Sequence, residues 1–183
     1  MNPFENETVK IDVCHALLIL GLVSAHKPKR ILEIGIGGGR ATDEILRGIE
    51  YNQNNAEYTI VDNFCDFGGN SELVTERYGS RVKNIINSNE KDFVYSTKEE
   101  FDFIMSDADH HHTHEWFEHV FNNLLLPNGI LIYHDVNVFE FGYPNLLEIY
   151  DYCKTNKLSH FLFNESSLPD ERCGRGLLVI FKN

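Results

Sequence analysis

The amino-acid sequence predicts an α/β protein with a doubly wound, mostly parallel sheet of seven strands that ends in a C-terminal antiparallel hairpin. Short apolar runs bounded by turn residues alternate with stretches of helical periodicity, which is typical of strands covered by helices on both faces. The last two runs are joined without a helical stretch and therefore predict the hairpin. A chain of 183 residues, 42% of them hydrophobic, indicates a single domain spanning residues 1–183.

Each predicted element is identified by its periodicity and by the residues that stop it. Most of the strands are short apolar runs bounded by turn residues, and the stretches between them show helical periodicity. The first half of the chain predicts a helix at 10–25, a strand at 30–34, a helix at 41–51, a strand at 57–62, a helix at 70–78 and a strand at 82–87. The second half predicts a strand at 101–107, a helix at 113–125, a strand at 129–134, a helix at 145–155 and strands at 159–163 and 176–181. Residues 1–28 are thus expected to form an N-terminal helical segment packed on the core.

The charge balance and the cysteines limit the partners and the compartment of the protein. Twenty-eight acidic residues against sixteen basic ones give a net charge of −12. The basic residues are scattered, so nucleic acid and anionic membranes are not expected partners. The four cysteines form no Cys-x-x-Cys pair, which favours free thiols in a reducing compartment. The apolar run at 13–23 is too short to span a bilayer, and we expect a soluble cytoplasmic protein.

A glycine-rich turn follows the first predicted strand and indicates a pocket for a nucleoside cofactor. Gly35, Gly37 and Gly39 allow positive φ and close approach of the backbone to a ligand. Glu33 lies at the end of the strand that precedes them. The fingerprint of dinucleotide-binding proteins requires a glycine where this chain has Arg40, so NAD is disfavoured.

Acidic and imidazole side chains follow three further strands. The second strand ends at Asp62, where a carboxylate can accept hydrogen bonds from both hydroxyls of a ribose. The fourth and fifth strands are followed by a larger polar set, namely Asp107, Asp109, His110, His134 and Asp135. Ligands of open α/β sheets bind outside the carboxyl ends of the strands, so we expect these residues to lie around one site.

The glycine motif, the Asp-x-Asp-His sequence after the fourth strand and the segment 126–135 together resemble class I S-adenosylmethionine (SAM) methyltransferases of the small-molecule, O-methyltransferase-like type. The resemblance covers residues 30–182 and implies a Rossmann-like fold with SAM as cofactor. It implies transfer of the methyl group to an oxygen or nitrogen of a small-molecule acceptor. The residues that it assigns to SAM binding are Glu33, Gly35, Gly37, Gly39, Asp62, Asn63, Ser88, Asn89 and Asp107, with Phe64 a candidate contact to the adenine.

The resemblance also raises the question of a divalent metal. Metal-dependent O-methyltransferases hold an ion with an Asp after the fourth strand and an Asp-Asn pair after the fifth. Asp107 and Asp135 correspond to the two aspartates, but Val136 replaces the Asn. In one alternative, water supplies the missing oxygen ligand of a Mg²⁺ site. In the other, the imidazole of His110 or His134 is a ligand, and the site prefers a transition metal. Alternatively, Asp107 holds the amino group of SAM.

Three residues are candidates for the catalytic site. His110 follows the fourth strand directly, and a neutral imidazole beside two carboxylates is suited to general base catalysis. Asp109 is its neighbouring carboxylate, and His134 is the next candidate base. His114 and His119 are five residues apart, which places them about 140° apart on a helix and prevents them from sharing one zinc ion.

Other functions stay open at this point. An aminopropyltransferase would use a related cofactor, but its glycine run is normally followed by an acid and a glycine, whereas Arg40 and Ala41 follow here. A non-catalytic SAM-binding subunit and a His-rich metal-binding protein are further alternatives, and the chain is a candidate homodimer. The segment 137–144 is a candidate lid, and Arg172 and Arg175 are candidate contacts to a carboxylate or phosphate of the acceptor.

Overall fold

A computed structural model of the protein describes residues 3–5, 10–65, 70–136, 144–163 and 175–183. Most of the candidate lid, residues 137–143, and Arg172 lie outside the described residues. The helices are α1 (Val13–His26), α2 (Arg40–Asn52), α3 (Ser71–Tyr78), α4 (Glu90–Ser96), α5 (Thr113–His119) and α6 (Pro144–Thr155). The strands are β1 (Arg30–Ile34), β2 (Glu57–Asp62), β3 (Asn84–Asn87), β4 (Phe101–Ser106), β5 (Leu125–His134), β6 (Ser159–Phe163) and β7 (Leu177–Phe181).

The seven strands form one sheet in the order β3-β2-β1-β4-β5-β7-β6. Strands β1 to β5 are paired in parallel, and β7 is antiparallel to both β5 and β6. The predicted fold class, including the C-terminal hairpin, is therefore confirmed. The strand order reverses between β1 and β4, and a reversal of this kind opens a crevice outside the carboxyl ends of the two strands.

The sheet separates two hydrophobic cores, because successive side chains of a strand face opposite sides. Ile31, Phe103 and Met105 belong to the core that includes residues of α1 and α2. Leu32 and Ile104 belong to the core that includes residues of α5 and α6. Burial on both faces explains why the central strands are apolar throughout. In the described part of the chain, we find no helix with both the length and the apolar character needed to cross a membrane.

The helix prediction needs correction at two places. The sequence prediction contained no helix between the third and fourth strands, where α4 lies. The only apolar residues that this short helix buries are the adjacent pair Phe93 and Val94, so it shows no helical periodicity. The helix predicted over 113–125 ends as α5 at His119 and continues as a π-helical turn over Val120–Leu124. The chain then enters β5 at Leu125, so the prediction was wrong at its C-terminal end.

Helices α1 and α2 pack closely where a glycine of α2 faces a valine of α1. A Cβ atom built on Gly48 would lie 2.6 Å from Cγ1 and 2.9 Å from Cβ of Val23. Val23 is fully buried and has no room to move away. Gly21, which lies in α1, offers the opposite situation, since a Cβ built there meets nothing within 4 Å.

We predict that Gly48→Ala and Gly21→Ala change stability in opposite directions. Gly21→Ala should raise the free energy of unfolding by about 0.5–1 kcal/mol, because alanine loses less backbone entropy in a helix. Gly48→Ala should lower it by about 1–3 kcal/mol, since the added methyl group overpacks the α1–α2 contact. Urea unfolding of both variants measures the difference, and a stabilised Gly48→Ala protein would contradict the close packing.

Candidate active site

A cavity of about 730 Å³ lies at the carboxyl ends of β1, β2 and β4. Its volume is in the range of small-molecule and cofactor sites. The described residues that line it include seven of the predicted SAM-binding residues, namely Gly35, Gly37, Asp62, Asn63, Ser88, Asn89 and Asp107. The cavity thus occupies the crevice that the reversal of strand order creates.

The turn after β1 is held against the ends of two neighbouring strands. Gly35 and Gly37 have φ of 85° and 49°, a region that glycine enters without steric cost. A Cβ atom on Gly35 would collide with the backbone carbonyl of Asp107, so the close approach of β1 and β4 requires glycine. Asp62 Oδ2 accepts a hydrogen bond from the Ile36 amide at 2.9 Å, and Oδ1 accepts one from the Phe64 amide at 2.6 Å. The carboxylate at the end of β2 therefore fixes the glycine turn.

Two of the predicted cofactor residues lie outside the cavity lining. Glu33 is fully buried behind the turn, where its carboxyl group accepts hydrogen bonds from Thr42 Oγ1, at 2.9 and 3.1 Å, and from the Tyr58 hydroxyl. It thereby connects β1 to α2 and β2. Gly39 is the N-cap of α2, and a Cβ atom there would meet Tyr78 rather than the cavity.

Glu90 is a cavity residue that the sequence prediction missed. Its buried carboxylate accepts hydrogen bonds from Ser106 Oγ at 2.9 Å, Thr113 Oγ1 at 2.7 Å and the Asp109 amide at 3.2 Å. These bonds tie the first turn of α4 to the loop between β4 and α5. The Asn89 side chain, which accepts a hydrogen bond from the backbone of Asp92, caps α4. This Asn followed by acidic residues was a helix-start signal that could have revealed α4 and Glu90.

Two carboxylates and two imidazoles meet where β4 and β5 end. His110 Nε2 lies 3.1 Å from Asp107 Oδ1 and 3.2 Å from Asp135 Oδ2. His134 Nδ1 lies 3.1 Å from the same Asp107 oxygen and 3.4 Å from Asp135 Oδ1. Asp135 has a φ of 60°, a left-handed conformation that aspartate tolerates better than most residues. The structure thus brings together four residues that the sequence analysis selected from two separate segments.

The charges of this cluster support one another. Burial disfavours a charged imidazole, but Asp107 and Asp135 outweigh it and raise the pKa of His134 to about 9. Burial likewise opposes the ionised form of Asp107, yet the positive charge and the hydrogen bonds of His134 and His110 hold its pKa well below the ordinary value. The pKa of His110 is raised, because its hydrogen bond to Asp107 and the nearby carboxylate charges exceed the effect of burial.

The remaining candidate residues have other partners. Asp109 Oδ1 accepts hydrogen bonds from the amides of His111, at 3.1 Å, and His112, at 3.2 Å, so it organises the loop before α5. Phe64 packs against the core beside α1 and is absent from the described cavity lining. Arg175 Nε lies 3.9 Å from Asp135 Oδ1, at the edge of the imidazole–carboxylate cluster.

The donor atoms at Asp107 and Asp135 do not match a Mg²⁺ site, which requires oxygen ligands in octahedral geometry. The Val136 side chain is fully buried in the hydrophobic core and supplies no third oxygen. The Nε2 atom of His110 lies within hydrogen-bond distance of both carboxylates. This pair is thus bridged by an imidazole and does not form an octahedral oxygen site, and the assignment of Asp107 and Asp135 as metal ligands stays a prediction.

Comparison with known proteins identifies the class to which this site belongs. Residues 32–136 match a protein family described as a methyltransferase domain, and the match covers more than half of the chain. The chain therefore belongs to the methyltransferase domain family, as the resemblance to SAM-dependent methyltransferases predicted. A search of curated protein sequences found no match.

Solved structures with low sequence identity share the fold. An O-methyltransferase from Bacillus cereus in complex with SAH (S-adenosylhomocysteine) is 17% identical with a TM-score of 0.74, covering 95% of this chain and 83% of that one. The O-methyltransferase TomG from Streptomyces achromogenes, in complex with SAM, is 15% identical with a TM-score of 0.73 and coverages of 98% and 85%. The SAH-bound methyltransferase PaMTH1 from Podospora anserina is 18% identical with a TM-score of 0.70 and coverages of 96% and 81%.

We predict that Glu33 makes the protein less stable as the pH rises. Burial, with a smaller contribution from the charges of Asp107 and Asp62, raises the pKa of Glu33 from 4.5 to about 8. Between these values the folded state holds a proton that the unfolded state has lost, so the free energy of unfolding falls with pH, by about 1 kcal/mol per pH unit.

The Glu33→Gln variant tests this prediction, since glutamine resembles the protonated acid but does not titrate. The quantity to compare is the free energy of unfolding of the variant minus that of the wild type. This difference should be larger at pH 8.5 than at pH 5.5. Urea unfolding at a series of pH values measures the difference. The same difference at every pH would show that Glu33 is ionised in the fold.

Proposed function

We propose that the protein transfers the methyl group of SAM to a hydroxyl oxygen of a small-molecule acceptor, with His110 as the general base. The observation that carries this proposal is the imidazole of His110, which lines the cavity and contacts both Asp107 and Asp135 through Nε2. Location in the cytoplasm and assembly as a homodimer stay predictions.

The composition of the cavity fits SAM. Its lining is rich in carboxylates and includes one lysine among the described residues, Lys91. Such a lining favours a ligand that carries positive charge, and SAM has a sulfonium and an ammonium group. The B. cereus and S. achromogenes O-methyltransferases of the same fold hold SAH and SAM. When bound, SAM would supply a methyl group activated by the positive charge on its sulfur.

Each wall of the cavity has a role in binding SAM. Asp62, which lines the cavity at the end of β2, accepts hydrogen bonds from the ribose hydroxyls. Ser88 and Asn89, which follow β3, contact the adenine. Asp107, whose pKa is held low, is ionised and receives the amino group.

His110 removes the proton of the acceptor hydroxyl. Its Nε2–H group is donated to Asp107 and Asp135, which fixes the tautomer and leaves Nδ1 as the basic nitrogen. The two carboxylates then stabilise the imidazolium that forms. His134 and Asp135 position this base from behind. A hydroxyl acceptor gains most from such a base, because it must lose its proton as the new bond forms.

We predict that Asp62→Asn weakens SAM binding at least tenfold. The substitution removes the charged acceptor, and hydrogen bonds to charged groups contribute about 1.5–3 kcal/mol each. Isothermal titration calorimetry with SAM measures the affinity. Glu57→Gln is the matched control, because Glu57 lies exposed at the other end of β2. Equal SAM affinity in the Asp62→Asn and wild-type proteins would remove Asp62 from the site.

We predict that His110→Gln lowers kcat by about 10²- to 10⁴-fold and leaves the Kd for SAM unchanged, since the base acts only in the chemical step. The assay follows SAH formation by mass spectrometry with a panel of phenols, catechols and aliphatic alcohols. His119→Gln, a substitution in α5 outside the described cavity lining, is the control.

Two outcomes of this assay would contradict the proposal. A normal rate in the His110→Gln variant would assign the base to another residue. Tight SAM binding without SAH formation from any acceptor would instead favour the non-catalytic SAM-binding subunit that the sequence left open.

A further inference from the structure

A second group of metal-ligating side chains lies behind the cavity, where the start of α1 meets the end of β5. Asp12, His15 and His134 are 8%, 0% and 1% exposed. Each offers one ligand atom, and these atoms all lie within 4.8 Å of one another. None of the three is among the described residues of the cavity lining.

Two of the three distances between the donor atoms are close to those of a tetrahedral metal site. His134 Nε2 lies 3.1 Å from His15 Nδ1, which in turn lies 3.5 Å from Asp12 Oδ2. A tetrahedral zinc ion with bonds of about 2.0–2.1 Å places its ligand atoms about 3.3–3.4 Å apart. The two observed distances lie on either side of this value, and the third pair, Asp12 and His134, offers ligand atoms within 4.8 Å of each other.

Asp12 is not explained by the fold alone. It occupies the N-cap position of α1, where aspartate usually accepts a hydrogen bond from the first turn, but its side chain makes no such bond. In the described part of the chain its buried Oδ2 atom has no hydrogen-bond partner, and neither has His15 Nε2. A buried carboxylate oxygen without a hydrogen bond is costly, and a bound cation would offset the cost.

His134 has the outer support that metal-bound histidines commonly have. Its Nδ1 atom lies 3.1 Å from Asp107 Oδ1 and 3.4 Å from Asp135 Oδ1, so these carboxylates orient the ring with Nε2 toward His15.

We propose that Asp12, His15 and His134 bind one first-row transition-metal ion of the zinc class. Two imidazoles and one carboxylate suit Zn²⁺ and its neighbours rather than Mg²⁺ or Ca²⁺, which prefer oxygen ligands. A water molecule completes the tetrahedron. The ion joins α1 to the end of β5 and replaces the His134–His15 hydrogen bond of the metal-free protein. The metal site shares His134 with the support of His110, but the distances and burial that indicate it do not depend on the proposed methyl transfer.

Zinc titration of the intact protein, with a chromophoric chelator as competitor, tests the site. We expect one Zn²⁺ per chain with a Kd below about 1 μM, raised at least ~100-fold by His15→Gln and by Asp12→Asn because each removes a ligand. The double variant His111→Ala/His112→Ala controls for the exposed histidine run and should keep the tight site. Tight binding retained by His15→Gln, or lost only in the double variant, would overturn the proposal.

Two measurements on the wild-type protein decide the question even where a variant fails to fold. X-ray absorption of the zinc-loaded protein should show two imidazole nitrogens, and the cobalt-loaded protein should give the intense visible bands of a tetrahedral site. Absence of tight zinc binding, or a six-coordinate oxygen environment, would overturn the proposal and leave the His15–His134 contact as a hydrogen bond. Measuring the SAM affinity of His15→Gln keeps this test separate from the test of the proposed function. A variant that loses zinc but binds SAM normally has lost only the metal site.

Discussion

One oxygen atom, Oδ1 of Asp107, connects the two halves of the site. It lies 3.1 Å from His110 Nε2 on the cavity side and 3.1 Å from His134 Nδ1 on the buried side. Its position depends on the close approach of β1 and β4 at Gly35, where no side chain fits. The wall of the cavity and the cluster behind it are therefore oriented by the same carboxylate, and displacing Asp107 would disturb both.

The net charge of −12 is partly concentrated in this region. Asp12, Asp107 and Asp135 are brought close together at the end of β5, and their mutual repulsion must be balanced to keep the fold stable. His134 contacts two of them directly and acquires a raised pKa as a result. Arg175 adds a further positive charge beside Asp135. The cluster is thus a balanced set of charges, in which removing one partner leaves the others uncompensated.

The sequence predicted the sheet and much of the candidate site, because both depend on local patterns. Asp62 was found as the polar residue that ends an apolar strand, and its side chain does hold the glycine turn. Glu33 was assigned to the cavity because motif spacing does not tell which side of a strand a side chain faces. The His15–His134 contact joins residues 119 positions apart, so only the tertiary fold brings them together. Helix α4 was too short to show a period, and Glu90 was missed with it.

The position of β7 between β5 and β6 also affects where the chain can vary. Phe163 ends β6 opposite Leu177, which begins β7 next to His134 of β5. Both ends of the connection between these strands therefore lie at the carboxyl edge of the sheet, beside Asp135 and far along the sheet from Asp62. Insertions or deletions in that connection would remodel one side of the edge and leave the glycine turn in place. A change of length between β6 and β7 therefore enters the sheet on the Asp135 side, several strands away from the half of the crevice that the glycine turn forms.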